Sequence, residues 1–150
     1  MTGSAEEESV DWKLEVLVVP VSDVDRAKEF YGDKLGFAVD TDFQPNEGFR
    51  VVQVTPPGSP TSIVFGQGLP QGPPGSVKGN QFVVADIRQA TAHLEAAGIE
   101  FTGPVHFEDG RMAPGHDPQD QDFATFAFFD DPDGNTWAIQ QGRRDGGAQP

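Results

Sequence analysis

The stretch VSDVDRAKEFYGDKLGF, residues 21–37, decides the fold, because VVADIRQATAHLEAAGI, residues 83–99, repeats its pattern. In both stretches a β-rich run leads into a helix cap, apolar residues follow at helical spacing, and a glycine ends the segment. Ser22 or Asp23 can cap the first helix, and Asp86 caps the second. Asp23 and Asp86 are 63 positions apart. The chain is therefore predicted to contain two copies of one supersecondary unit.

Each predicted helix is followed by further strand-like runs. The predicted strands of the first copy are residues 13–21, 36–43, 49–57 and 61–67, and those of the second are 81–87, 99–107, 122–129 and 135–141. The order is therefore β-α-β-β-β in each copy, an α+β fold. One copy alone would leave one sheet face bare, so the two copies are expected to share a core. We place the modules at about 12–67 and 80–141, with a linker rich in Gly and Pro at 68–79.

Composition excludes several classes of protein. The 150 residues carry 24 acids and 10 bases, a net charge of −14, which argues against nucleic acid or an anionic membrane as a partner. No apolar run is long enough to span a bilayer. There is no cysteine and no basic, apolar leader, so a cytoplasmic location fits. The acidic segment 1–11 and the segment 143–150 are predicted to be flexible tails.

The two repeated stretches and the closing DDPDGNTWAIQ, residues 130–140, resemble the vicinal oxygen chelate superfamily. That superfamily includes glyoxalase I, extradiol dioxygenases and bleomycin resistance proteins. The resemblance covers roughly residues 12–141. It implies two βαβββ modules whose curved sheets form a cradle, with the helices outside. It also implies a homodimer with its sites near or across the interface.

In the metal-dependent members, each module supplies two ligands, usually His or Glu, one on its first strand and one on its last. Counting from the helix caps and the last-strand patterns places these positions at Val16, Val64, Asn80 and Ala138. Valine and alanine have no donor atoms, and asparagine is a weak neutral ligand. An error of one residue would offer Glu15, Gln81 or Ile139, which still form no ligand cluster. We therefore expect neither a metal ion nor any other cofactor.

The acidic stretch DDPDGN, residues 130–135, could suggest a calcium loop. With Gly134 at the sixth position of an EF-hand loop, the first position is Phe129 and the twelfth is Gln140, so the required acids are missing. The Asp-Gly and Gly-Asn pairs predict a hairpin turn instead.

The histidines lie in two settings. His93 falls in the second helix, where a packing role is expected. His106 and His116 flank the polar loop of residues 106–123, which carries five acids as well as Gly and Pro. Three interpretations remain open for this loop: a lid over a ligand that uses His106, a structural metal site, or a hydrated acidic loop.

Strand alternation decides which side chains face the cradle. If Asn80 faces it, Phe82 does too, and if Ala138 faces it, so does Gln140. Phe126 and Phe128 share one face that the sequence does not decide. An arginine in the middle of a strand is either a snorkelling edge residue or an anion anchor. The candidate ligand-binding residues are Asn80, Phe82, Arg50, His106, Phe126, Phe128, Trp137 and Gln140.

These observations predict metal-independent binding of a small apolar or aromatic ligand, similar to the bleomycin resistance branch. The acidic charge favours a cationic ligand, and sequestration would give resistance. The alternative is an enzyme, a lyase, isomerase or dioxygenase, either metal-dependent or using His106 or loop acids as base. A third possibility is a cradle that serves a protein partner.

Overall fold

The computed structural model describes residues 9–143, so the predicted tails, 1–11 and 143–150, lie almost entirely outside the described residues. The helices and strands of the first module are β1 (Val16–Val18), α1 (Val24–Lys28), β2 (Ala38–Asn46), β3 (Phe49–Thr55) and β4 (Ser62–Gln67). Those of the second module are β5 (Asn80–Val84), α2 (Ile87–Ala96), β6 (Phe101–Glu108), β7 (Arg111–Pro114), β8 (Thr125–Asp130) and β9 (Thr136–Gln141). Neither helix is long enough to cross a membrane within this range.

The two modules form two separate sheets. The first has the strand order β1-β4-β3-β2 and the second β5-β9-β8-β6-β7. In each sheet the first strand of the module pairs in parallel with the last, and the other neighbours are antiparallel. The predicted α+β fold with its curved open sheets is confirmed. The strand β7 lies in the segment that the sequence predicted as a polar loop.

The predicted helix caps are confirmed. Asp23 and Asp86 both have extended backbone, and their side chains accept hydrogen bonds from N–H groups of the first helical turn. The helix α1 continues as a π-helical stretch, Glu29–Lys34, in which the N–H of Leu35 donates to the carbonyl of Phe30, five residues back, at 2.9 Å. This stretch turns Phe30 and Tyr31 into the core, where both are buried.

One apolar core joins the two modules. It lies against both helices and the inner face of both sheets, so each module covers the face that the other leaves bare. Its largest fully buried side chains include Tyr31, Phe65, Ile87, Leu94 and Trp137.

The turn between β8 and β9 forms a contact between the two modules. The Asp131 carboxylate accepts from the backbone N–H groups of Asp133 and Asn135, both at 2.9 Å, as a turn requires. The Asn135 amide donates across to the carbonyl of Pro20 at 2.8 Å. Gly134 has a φ of 92°. The predicted turn is confirmed, and it also ties the second module to the first.

Candidate functional site

Each sheet has a second face, opposite the core, which we call its cradle face. Alternation along the strands assigns the side chains, because their neighbours in sequence pack into the core. On the first sheet this face carries Val16, Val18, Phe43, Val51, Gln53 and Val64. On the second sheet it carries Gln81, Val83, Val105, Phe107, Phe126, Phe128, Ala138 and Gln140.

The floor of the cradle faces is defined by two parallel strand pairs. Gln81 lies beside Ala138, and Val18 lies beside Val64. Val18 and Gln81 are 63 positions apart, the same offset as the helix caps. These four residues are thus the equivalent floor positions of the two modules. None of them has a carboxylate, imidazole or thiolate.

Two of the counted metal positions are corrected by this register. Asn80 pairs with Trp137 and lies on the core side of β5, so Gln81 takes its place on the cradle face. Val16 does face the cradle, but its neighbour is Ser62, and Val18 is the partner of Val64. The counted pair, Val16 and Asn80, is 64 positions apart and does not keep the repeat offset, whereas Val18 and Gln81 do.

The clustering of potential ligand side chains elsewhere in the described residues gives the same result. Across residues 9–143, no three side chains of His, Cys, Asp or Glu come together in a group that could hold a metal ion. The floor residues Val18, Val64 and Ala138 offer no lone pairs to a divalent ion, and Gln81 offers one neutral amide oxygen. The residues of the cradle floor therefore do not fit a divalent metal ion.

An aromatic surface lies beside this floor. Phe126 and Phe128 have ring planes 5° apart and centroids 6.4 Å apart. Phe107 meets Phe126 edge-on at 5.6 Å and is itself 54% exposed. Because Phe126 pairs with Gln140 and Phe128 with Ala138, the undecided face of these two rings is the cradle face.

Phe82 and Trp137 lie on the other side of the sheet. Their rings stack with centroids 4.4 Å apart, and Phe82 also meets Phe37 and Phe129. The prediction that Phe82 faces the cradle is wrong, because the phase of β5 is one residue off the assumed one. Both side chains belong to the core rather than to the cradle face.

Arg50 lies on the helix side of β3, in phase with Val52. Its guanidinium donates to Asp25 at 2.8 Å and to Asp42 at 3.0 and 2.9 Å. Hydrogen bonds from Arg50, and then from Lys28, hold the pKa of Asp42 well below its usual range. The carboxylates of Asp42 and Asp25 raise the pKa of Arg50. Arg50 is therefore held between two acids of its own module and is placed away from the cradle.

His106 also points away from the cradle face, because it lies beside Thr125 in the phase that faces the core side. Its Nδ1 is 2.8 Å from the carbonyl oxygen of Gly115, and its Nε2 is 3.2 Å from Glu108. The Gly115 carbonyl, and then Glu108, raise the pKa of His106. The histidine joins β6 to the end of β7. His93 has the expected packing role, with Nε2 3.1 Å from the carbonyl of Leu35.

A cleft of about 490 Å³ adjoins the cradle face at Phe128. It lies where β6 begins and β8 ends, between the two modules. Its charged lining residues are Lys34, Glu100, Asp130 and Asp131. Acids outnumber bases in this cleft, as they do in the whole chain.

Comparison with known proteins places this geometry in a family. Residues 13–139 match the family described as the glyoxalase/bleomycin resistance protein/dioxygenase superfamily. The chain belongs to this superfamily. The resemblance seen in the sequence is confirmed.

Several solved structures of the superfamily are similar to the chain. TnmS3, an antibiotic binding protein from Streptomyces sp. CB03234, is 32% identical with a TM-score of 0.72, over 91% of this chain and 100% of that chain. A glyoxalase/bleomycin resistance protein from the same strain is 33% identical with a TM-score of 0.67, over 86% and 100% of the two chains. A superfamily member from Sphaerobacter thermophilus DSM 20745 is 29% identical with a TM-score of 0.67, over 87% and 98%.

A curated relative has no assigned role. The uncharacterized protein YetH of Bacillus subtilis (strain 168) is 24% identical over 136 residues, which cover 86% of this chain and 98% of YetH.

Proposed function

We propose that the protein binds a small, largely apolar or aromatic molecule on its cradle faces without a metal ion, and protects by sequestering it. The observation that carries this proposal is the floor of Val18, Val64, Gln81 and Ala138, which has no carboxylate, imidazole or thiolate on the first and last strands of the modules, where the sequence resemblance implies metal ligands. Apolar burial and ring stacking then supply the affinity. The similarity to TnmS3, an antibiotic binding protein, supports a ligand of antibiotic type.

The aromatic surface favours a flat ligand. Phe126 and Phe128 present nearly parallel rings on one face of β8, and Gln140 lies beside Phe126 on the next strand. A pocket that is mostly apolar with a few placed amides is typical of small-molecule sites. The net charge of −14 and the acids Glu100 and Asp130 near Phe128 favour a ligand with a positive charge.

We infer a homodimer from the apolar residues left exposed in the single chain. Phe43, Phe107 and Met112 are each 54% exposed, and Phe43 and Phe107 lie on the cradle faces. Before β1, every second residue is apolar and exposed, namely Val10, Trp12 and Leu14. Exposed apolar surface of this extent is typical of an interface. A second copy covering these residues would place ligand between two cradle faces.

The competing proposal is an enzyme that uses His106 as a base. The geometry gives it less support, because the His106 ring is buried on the core side of β6 with oxygen partners at both nitrogens. A lyase or isomerase reaction at the cradle that relies on a general base would need that base to face the cradle.

One experiment separates these proposals. Protein made without a metal-affinity tag is treated with EDTA and dialysed against a panel of aromatic antibiotics, and the compounds are recovered and identified by mass spectrometry. Retention of an unchanged compound supports sequestration. A changed compound supports the enzyme, and retention that requires added metal overturns metal independence.

A further inference from the structure

A chain of hydrogen bonds runs from the cradle floor to the loop before β8. The amide Nε2 of Gln81 is 3.3 Å from Oε1 of Gln140, and Nε2 of Gln140 is 3.1 Å from the carbonyl oxygen of Phe123. Gln81 and Gln140 lie on adjacent strands of the same cradle face. Phe123 belongs to the loop that covers the end of β9.

The far end of this chain fixes the direction of every bond in it. The carbonyl oxygen of Phe123 can only accept, so the group of Gln140 that meets it must be the NH₂. The carbonyl end of Gln140 is then turned toward Gln81, and Gln81 must supply its own NH₂. The Oε1 atom of Gln81 is left over, and it has no hydrogen-bond partner among residues 9–143. The amide chain thus ends in a hydrogen-bond acceptor on the cradle floor.

The Phe123 carbonyl is itself held in place. The N–H of Phe123 donates to the carbonyl of Gln141 at 2.6 Å, and the residue has a φ of 67°. Its ring lies against Gly142, where a Cβ would come within 2.5 Å of it. The Phe123 carbonyl is therefore fixed to β9 by a backbone hydrogen bond and by packing of the ring, and this limits rotation of the Gln140 and Gln81 amides.

The position of Gln81 sets the size of the ligand it can serve. Gln81 lies beside Ala138, and Ala138 lies beside Phe128. Adjacent strands are about 4.8 Å apart, so the acceptor and the Phe128 ring are separated by about 10 Å with only a methyl group between them. A flat molecule of about two fused rings spans that distance.

We propose that Gln81 is the specificity-determining residue of the cradle, whose Oε1 accepts a hydrogen bond from an O–H or N–H group at one end of a flat aromatic ligand. This inference rests on the proposed function and gives it a ligand class: aromatic molecules with a hydroxyl or a protonated amine at the edge. A ligand that carries only hydrogen-bond acceptors at that edge has no N–H or O–H group to donate to the Gln81 oxygen. Leaving such a group unpaired on binding lowers affinity.

The test compares two probes that differ in one donor. 2-Naphthol and 2-methoxynaphthalene have the same rings, but only the naphthol can donate. Both are titrated by NMR into the wild-type chain, Gln81→Leu and the control Asn80→Leu, which removes an amide from the same strand on the opposite face. We expect the wild type to prefer the naphthol by about tenfold. The preference should vanish in Gln81→Leu and persist in Asn80→Leu.

A fourth protein tests the amide chain itself. Gln140→Leu keeps the Gln81 oxygen but removes the amide that orients it. The preference for 2-naphthol over 2-methoxynaphthalene should therefore fall to a value between onefold and tenfold. Equal preference in the wild type and Gln81→Leu, with both probes shifting cradle resonances, overturns this inference and leaves the proposed function standing. If neither probe shifts those resonances at millimolar concentration, the ligand class is overturned, and the antibiotic panel decides the proposed function separately.

Discussion

The indole N–H of Trp137 donates a hydrogen bond of 2.9 Å to the hydroxyl of Tyr31, which donates in turn to Asp131 at 2.8 Å. All three side chains are buried; Tyr31 belongs to the first module, and Trp137 and Asp131 belong to the second. Burial, and then the Asp131 charge, raise the pKa of Tyr31, so its hydroxyl stays protonated as a donor. A polar line thus crosses the apolar core where the two modules meet.

Tyr31→Phe should destabilise the chain by about 1–3 kcal/mol, because it leaves the Trp137 N–H and one Asp131 oxygen buried without that partner. Urea unfolding followed by circular dichroism measures the change. The control is Gln89→Ala, a truncation at an exposed site of α2, which should alter stability by less than about 0.5 kcal/mol. Equal stability of Tyr31→Phe and wild type would contradict the role of this line.

Phe82→Ala and Phe128→Ala should separate stability from binding. The Phe82 ring packs in the core, so its removal should cost about 3 kcal/mol of folding free energy. Phe128 faces the cradle, so Phe128→Ala should weaken binding of an aromatic ligand by about 1–3 kcal/mol. Denaturation and calorimetric titration of both variants check this. The reverse pattern would place the ligand on the helix side of the sheet.

Gly134→Val should cost about 1–3 kcal/mol, because the φ of 92° is one that a β-branched residue resists. A Cβ at this position would meet nothing within 4 Å, so the cost is conformational rather than steric. Gly134→Asn is the matched variant and should cost less, since Asn tolerates positive φ. Thermal unfolding of the two variants tests this, and an unchanged melting temperature for the valine variant would refute it.

His106 should stabilise the fold more at low pH than at high pH. Its folded-state pKa is raised, so its contribution is complete below the unfolded pKa of about 6.5 and is lost as pH rises through the folded value. The stability difference between wild type and His106→Gln should therefore shrink from pH 6 to pH 9. Urea unfolding at several pH values measures it. A difference that grows with pH would show that the neutral imidazole is the favoured form.

Removal of divalent metal should leave folding and ligand binding unchanged, because the cradle floor has no chelating pair. Elemental analysis of untagged protein and melting curves with and without EDTA check this. The double variant Gln81→His, Ala138→His places two imidazoles on neighbouring strands and should gain affinity for Zn²⁺. A tightly bound metal at one ion per chain in the wild type, lost on Gln81→Leu, would disprove the expectation.

The sequence predicts the repeated unit well because its signals are local. Asp23 and Asp86 cap the helices through their own side chains, and the turn at residues 131–135 is closed by Asp131. Local signals do not decide which face of a strand a side chain lies on. The strand β5 has two adjacent amides, Asn80 and Gln81, followed by three apolar residues, so no polar/apolar alternation tells which face Phe82 takes. Its phase is set by Trp137, which is more than 50 positions away.

The strand β7 was missed for a related reason. Arg111–Pro114 is four residues long, ends in proline, and lies among acids and glycines that predict a loop. Its pairing is fixed by β6, where His106 lies opposite Ala113 and binds the Gly115 carbonyl. The ionic partners of Arg50 could not be predicted either, since Asp25 lies on α1 and Asp42 lies on the neighbouring strand β2. Contacts that only the folded chain brings together produce no pattern in the local spacing of residues.

The line from Trp137 through Tyr31 to Asp131 makes the two halves of an internal duplication non-interchangeable. At the offset of 63, the position of Tyr31 is taken by Leu94 in the second module. The turn before β4 reads Pro-Pro-Gly-Ser-Pro-Thr, so the first module offers no acid in place of Asp131. A tandem of two first modules would bury two phenols without their carboxylate. The two similar modules are therefore complementary rather than interchangeable, and any exchange of modules between chains must pair a first module with a second.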